Sequence, residues 1–156
     1  MLPLLRDFRD RTVPMMNNEI MLFMSAGMLA FALQGTSFAN ASGQLLAHLA
    51  SISFFLFAAV ILLIVLVVTY LGIHQIAVIG ALAMQLSTMD IGLTNLGLAL
   101  LLMLVWAVSA AMSPFSGLNL MVSRFSGISG FRIGFSAFGL QMVIYSIIGI
   151  TIISLL

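Results

Sequence analysis

The chain has 156 residues, of which 63% are hydrophobic and 6% charged, with a formal charge of +1 and a mean hydropathy of +1.28. Soluble domains carry roughly 25% charge, so the composition excludes an ordinary soluble protein and reads as an all-α, polytopic membrane protein with about four to five membrane segments. It offers no basic surface for nucleic acid, and without cysteine it excludes disulfides and argues against a structural zinc site.

Residues 1–18 read as a cytoplasmic arm in which Pro3 and Pro14 bracket RDFRDR. Arg6, Arg9 and Arg11 set the N-terminus in the cytoplasm under the positive-inside rule. No secretory signal is read here, because the first apolar segment starts late and no small-residue cleavage site precedes it. From Ile20 to Met89 there is no Asp, Glu, Lys or Arg, and lysine is absent from the whole chain. Residues 19–156 read as one transmembrane domain.

Glu19 opens the first span, EIMLFMSAGMLAFALQG, where a carboxylate suits the positive end of the helix dipole. GTSFANASG, residues 35–43, reads as a turn-rich loop, and QLLAHLA after it as a short amphipathic piece carrying His48 at the interface. Residues 51–72 are the most apolar run and, at 1.5 Å per residue, roughly 33 Å long as a helix. The run stops at GIHQ and resumes as IAVIGALAMQL, only about 18 Å by the same rise. That second piece is short for a span. Either it crosses as a poorly matched helix, or 51–86 is a re-entrant helical hairpin with GIHQ at its tip. The hairpin reading is favoured. A tip at membrane depth must have its freed backbone groups satisfied, and His74 and Gln75 supply donors and acceptors. An ordinary turn with a snorkelling His74 is the bland alternative.

STMDIG, with Asp90, reads as an external turn, and residues 93–112 as a further span. Then comes SPFSGLNLMVSRFSG, residues 113–127, a polar interruption between two apolar segments. Pro114 lacks a backbone donor and Gly117 is permissive, so the helix over 93–127 is expected to break there. Inside a bilayer such broken backbone is tolerated only where protein buries it or where it lines a wet cavity. Residues 134–156 read as the last span. Tracing the segments from a cytoplasmic N-terminus puts Arg124 and Arg132 in the cytoplasm as well, and the C-terminus outside. The expected location is a bacterial inner membrane.

These pieces resemble the C-terminal repeat of the ion transporter superfamily, the divalent anion–sodium symporters and their citrate and arsenite-permease relatives. LFMSAGMLAFALQG followed by SGQLLAHL is similar to the family's opening helix, loop and amphipathic element. MSPFSGLNLMVSRFSG resembles its broken helix, with Pro114, Gly117 and Asn119 in register. Where the family's hairpin tip carries Ser-Asn-Thr, this chain has Ile73, His74 and Gln75. The resemblance covers residues 20–156. It implies half of a secondary transporter moving a small, anionic solute by an ion-coupled mechanism, the coupling ion being H+ or Na+. His74 in place of the family's oxygen ligands would favour the proton. Since the family carries two inverted repeats and this chain one, the expected partners are lipid, solute and a second membrane subunit with the other repeat, or an oligomer.

The candidate solute- and ion-binding residues are therefore His74, Gln75, Ser113, Pro114, Ser116, Gly117 and Asn119. No metal and no cofactor are expected. The competing reading is a non-transporting scaffold or assembly subunit whose Gly and Ser serve helix packing. An enzyme is not expected. His48 or His74 with Ser113 or Ser116 is a nominal dyad, but Gly-x-Ser-x-Gly is absent and Asp90 has no acidic partner. The twelve Met and twelve Phe are dispersed as packing and lipid-facing residues, not spaced as ligands.

Overall fold

The computed structural model describes Arg6, Arg9 and residues 17–156. Most of the arm over 1–18 and the capping role of the Glu19 side chain lie outside what it describes, while Asn17 and Asn18 already belong to the first helix. Every element among the described residues is helical. In chain order these are α1 (Asn17–Leu33), α2 (Ser37–Ile52), α3 (Phe54–Tyr70), α4 (Gln75–Leu86), α5 (Asn95–Met112), α6 (Gly117–Ser126), α7 (Gly130–Arg132), a π-helical turn (Ile133–Ala137) and α8 (Gly139–Ile153).

One local difference from the sequence reading lies at GTSFANASG, which is not a loop. The connection shrinks to residues 34–36, because Thr36 caps α2 by accepting from the Ala39 amide at 3.2 Å. Gly43, which suggested a turn, sits buried inside α2 because the Gln85 side chain comes up against it. A Cβ there would lie 2.7 Å from Gln85 Nε2. The long apolar run is also divided. Ser53, with φ −164°, is extended: its amide closes α2 on Leu49 O at 3.1 Å, and its carbonyl opens α3 by accepting from Phe57 at 3.0 Å. The last helix of the sequence reading is likewise two pieces, Gly130–Ala137 and Gly139–Ile153, bent by 55°.

The core is built around α5. Leu98, Leu101, Leu102, Leu104, Val105, Val108 and Met112 are all buried, as expected of a helix apolar all round. Against it α3 sets Phe57, Ala58, Ile61 and Val65, α4 sets Leu82 and Leu86, and α8 sets Ile150 and Ile153. α8 approaches α5 where Gly149 meets Leu104; a Cβ on that glycine would lie 2.7 Å from Leu104 Cδ1. α3 and α4 pack side by side, and α1 packs against α4.

By length and composition, α5 and α6 taken together with the break between them, Asn95–Ser126 (32 residues), are able to cross a membrane, the most apolar 18-residue window having a mean hydropathy of 2.2. The bent pair ending in α8 makes a second if it acts as one span, while Phe54–Tyr70 and Gln75–Leu86 are shorter apolar helices. The outer faces are apolar too: Leu140, Val143, Ile144, Ile147 and Ile148 of α8 and Met121 and Phe125 of α6 are exposed.

Candidate functional site

The expected interruption at residues 113–127 is real but shorter. Four residues, 113–116, are non-helical, and α6 resumes at Gly117. Ser113 is extended (φ −66°, ψ 127°), the conformation that a following proline imposes by steric clash. Ser116 then restarts the helix by accepting from the Asn119 amide at 3.2 Å.

A break inside an apolar molecule leaves the last carbonyls of α5 without helical partners. Neutral side chains answer them. Asn119 Nδ2 donates to Ala111 O at 2.7 Å and to Ser113 O at 2.9 Å. The Tyr70 hydroxyl, at the end of α3, donates to Met112 O at 3.0 Å. Ser113 Oγ donates to Thr69 O at 3.2 Å and accepts from the Phe115 amide at 3.3 Å. Ser113, Ser116 and Asn119 are buried, Asn119 completely.

One atom is left over. Asn119 Oδ1 is buried and accepts no hydrogen bond among the described residues. The two carbonyls at Nδ2 fix the amide's orientation, since flipping it would set oxygen against oxygen. A buried acceptor without a donor costs about 1–3 kcal/mol. It is a place where a donor or a cation would be bound favourably.

The tip between α3 and α4 is a tight turn in which Gly72 has φ +92°, a region L residues rarely occupy. His74 caps α4, its Nδ1 accepting from the Ile76 amide at 3.3 Å. Nδ1 is therefore unprotonated and the imidazole acts as an N-cap. Gln75 is buried, and its side-chain amide makes no hydrogen bond among the described residues. If the capping bond is what His74 contributes to folding, His74→Asn should leave the thermal midpoint nearly unchanged. His74→Ala should lower stability by about 1 kcal/mol. Melting both variants in detergent checks this; equal melts would remove the capping role.

The structure thus brings the last turn of α3 to the break between α5 and α6, with Ser113 the expected residue whose side chain bonds across. Contact runs through Thr69 and Tyr70 of the last turn of α3. His74 and Gln75 make no side-chain hydrogen bond to residues 113–119 among the described residues. Pro114 acts through its carbonyl and its missing donor, while Gly117 has open space where a Cβ would sit and no positive φ. The sequence reading also missed Gly130 and Gly134. Their Cβ atoms would lie 2.7 Å from Pro114 O and 2.0 Å from Met112 O, so only glycine lets this segment seat against the break. The small-xxx-small spacing of GFRIG was the available signal. The seat is lined by aromatic rings: Phe131 and Phe135 each lie 6.1 Å from Tyr70, and Phe131 lies 5.8 Å from Phe115, all edge-to-face.

A separate cavity of about 1000 Å³ lies among α1, α2, α3 and α4, and none of the seven expected site residues lines it. Compared with protein-family models, with curated proteins and with solved structures, the chain shows no significant match to any.

Proposed function

We propose that this chain is one repeat of an ion-coupled secondary transporter for a small anionic solute, working with a second membrane subunit that carries the other repeat. The observation that carries this reading is the break between α5 and α6, where Ser113 and Met112 are bonded to Thr69 and Tyr70 of α3 and the buried Asn119 amide, held to Ala111 O and Ser113 O, keeps an unused acceptor, Oδ1. Discontinuous helices near the midplane are how secondary transporters bind solute and coupling ion. The N-termini of α4 and α6 each begin at a break and present the positive end of a helix dipole, which suits an anion. Asn119 Oδ1 suits the coupling ion, as a ligand to Na+ or an acceptor from a proton donor. The hydrocarbon exterior and the 32-residue stretch through α5 and α6 support a location within the membrane, with α3 and α4 as a re-entrant hairpin.

The test begins with purification in mild detergent and identification of every co-purifying chain. The complex is then reconstituted in vesicles and uptake of a panel of small carboxylates and inorganic anions is measured under H+ and Na+ gradients. The expected result is a second hydrophobic chain and gradient-driven uptake that Asn119→Leu abolishes. A lone monomer or homo-oligomer without uptake would replace this reading with the scaffold.

A further inference from the structure

The cavity among α1, α2, α3 and α4 has a polarity gradient. Its wall is aliphatic, with Leu29 and Leu33 from α1, Val68 from α3, and Ala77, Ala81 and Leu82 from α4. One end, beside the start of α2, carries Gln34, Asn40 and Gln44, whose side chains are exposed and whose amides make no hydrogen bond among the described residues. The roof is fixed separately: Gln85 Nε2 donates to Ala39 O and to Ser42 Oγ, pinning α2 over α4.

From these observations we infer that the cavity binds a diacyl phospholipid, its acyl chain between α1 and α4 and its glycerol-ester region at the Gln34, Asn40 and Gln44 amides. Three features select this occupant. The groove runs along α4 from Ala77 to Gln85, roughly 12 Å at 1.5 Å per residue, and continues past Thr88 and Met89 in the turn that follows. One leaflet of a hydrocarbon core about 30 Å thick is about 15 Å deep. The polar end lies where α1 ends, α2 begins and α4 ends, which the arginine pattern assigns to the external interface, and the apolar end points toward the α3–α4 turn. No lining residue is charged, so the site cannot fix a headgroup by ion pairing; neutral amide donors match ester carbonyls instead. The inference rests on the membrane reading and not on transport.

The probe is phosphatidylcholine with a diazirine in its acyl chain, at trace level in vesicles of ether-linked phosphatidylethanolamine and phosphatidylglycerol holding the purified protein. After irradiation the labelled peptides are mapped. Label is expected on α1 and α4 around Leu29 and Ala81. Unlabelled diester lipid of either headgroup should displace it, and an ether-linked analogue should not. Ala81→Trp, which fills the groove, should cut this label roughly tenfold, a loss of about 1.4 kcal/mol, while label on the exposed face of α8 stays constant. Gln44→Leu, a surface change at the polar end, gives the same test should the tryptophan prevent folding. Uniform labelling insensitive to both variants, equal displacement by ether and ester lipids, or occupation of the groove by a co-purified protein would overturn the inference. A carbonate wash of cell membranes separates the two failures: release of the chain sinks the membrane reading along with the lipid site, whereas retention without site-dependent label sinks only the site.

Discussion

Gly134→Ala should destabilise the protein by 3 kcal/mol or more, about the upper end of what overpacking costs. An ideal Cβ at this position lies 2.0 Å from Met112 O and 2.9 Å from Met112 C. The obstacle is backbone, so no side chain can swing aside. Relief requires moving the end of α5, which breaks the Tyr70 bond to Met112 O, or lifting the π-helical turn off its aromatic seat. Gly80→Ala is the matched control. Nothing lies within 4 Å of a Cβ there, inside α4, so alanine should stabilise by about 0.5–1 kcal/mol through helix propensity. Thermal unfolding of both variants in one detergent, followed by circular dichroism, is the measurement. If Gly134→Ala melts at or above Gly80→Ala, the seating of residues 130–134 against the break is wrong.

Asn119→Leu should cost on the order of 2–4 kcal/mol. Leucine keeps the branching but is bulkier, so overpacking at this fully buried position adds to the loss of two donors, which leaves Ala111 O and Ser113 O with unmet lone pairs at about 1–3 kcal/mol each. Removing the unused Oδ1 offsets part of this, which keeps the expected figure below the sum. Asn119→Asp should be worse than leucine. An ionised carboxylate has no donor, and its oxygens would face both carbonyls in a site sealed from water. The order wild type, leucine, aspartate in thermal midpoint is the checkable outcome. A leucine variant as stable as wild type would falsify the role of Asn119 in holding α5 to α6.

The helix ends show what was legible in the sequence. GIHQ punctuates the α3–α4 turn where expected, since Gly72 needs positive φ and His74 is a competent cap. The break was found from Pro114, whose effects on its own donor and on Ser113 are local. Its far edge was misjudged because residues 117–126 look polar in sequence, while Ser116 and the i,i+3 amide bond to Asn119 are enough to restart a helix. The partners of the break were not legible, because they arise from packing between distant segments. Nothing local to Tyr70 says that its hydroxyl will meet a carbonyl 42 residues away, and a Gly-x-x-x-Gly spacing names a close approach without naming what approaches. Gly43 misled for the same reason. The residue that requires it, Gln85, lies on another helix.

The π-helical turn at Ile133–Ala137 carries a consequence in angular phase. Such turns take up one more residue than an α-helix does over the same stretch, and one residue corresponds to about 100° of rotation. The face that α8 turns inward carries Ser146, Ile150 and Ile153, while Ile147 and Ile148 point outward. Were the turn made regular with every residue kept, each side chain of α8 would turn by roughly that angle and advance by about 1.5 Å. Gly149 would leave Leu104, and a β-branched neighbour would take its place in a gap that admits none. The winding of this one turn is thereby coupled to which side of the last helix faces α5, and deleting a single residue from it would restore α-helical winding while leaving that side where it is.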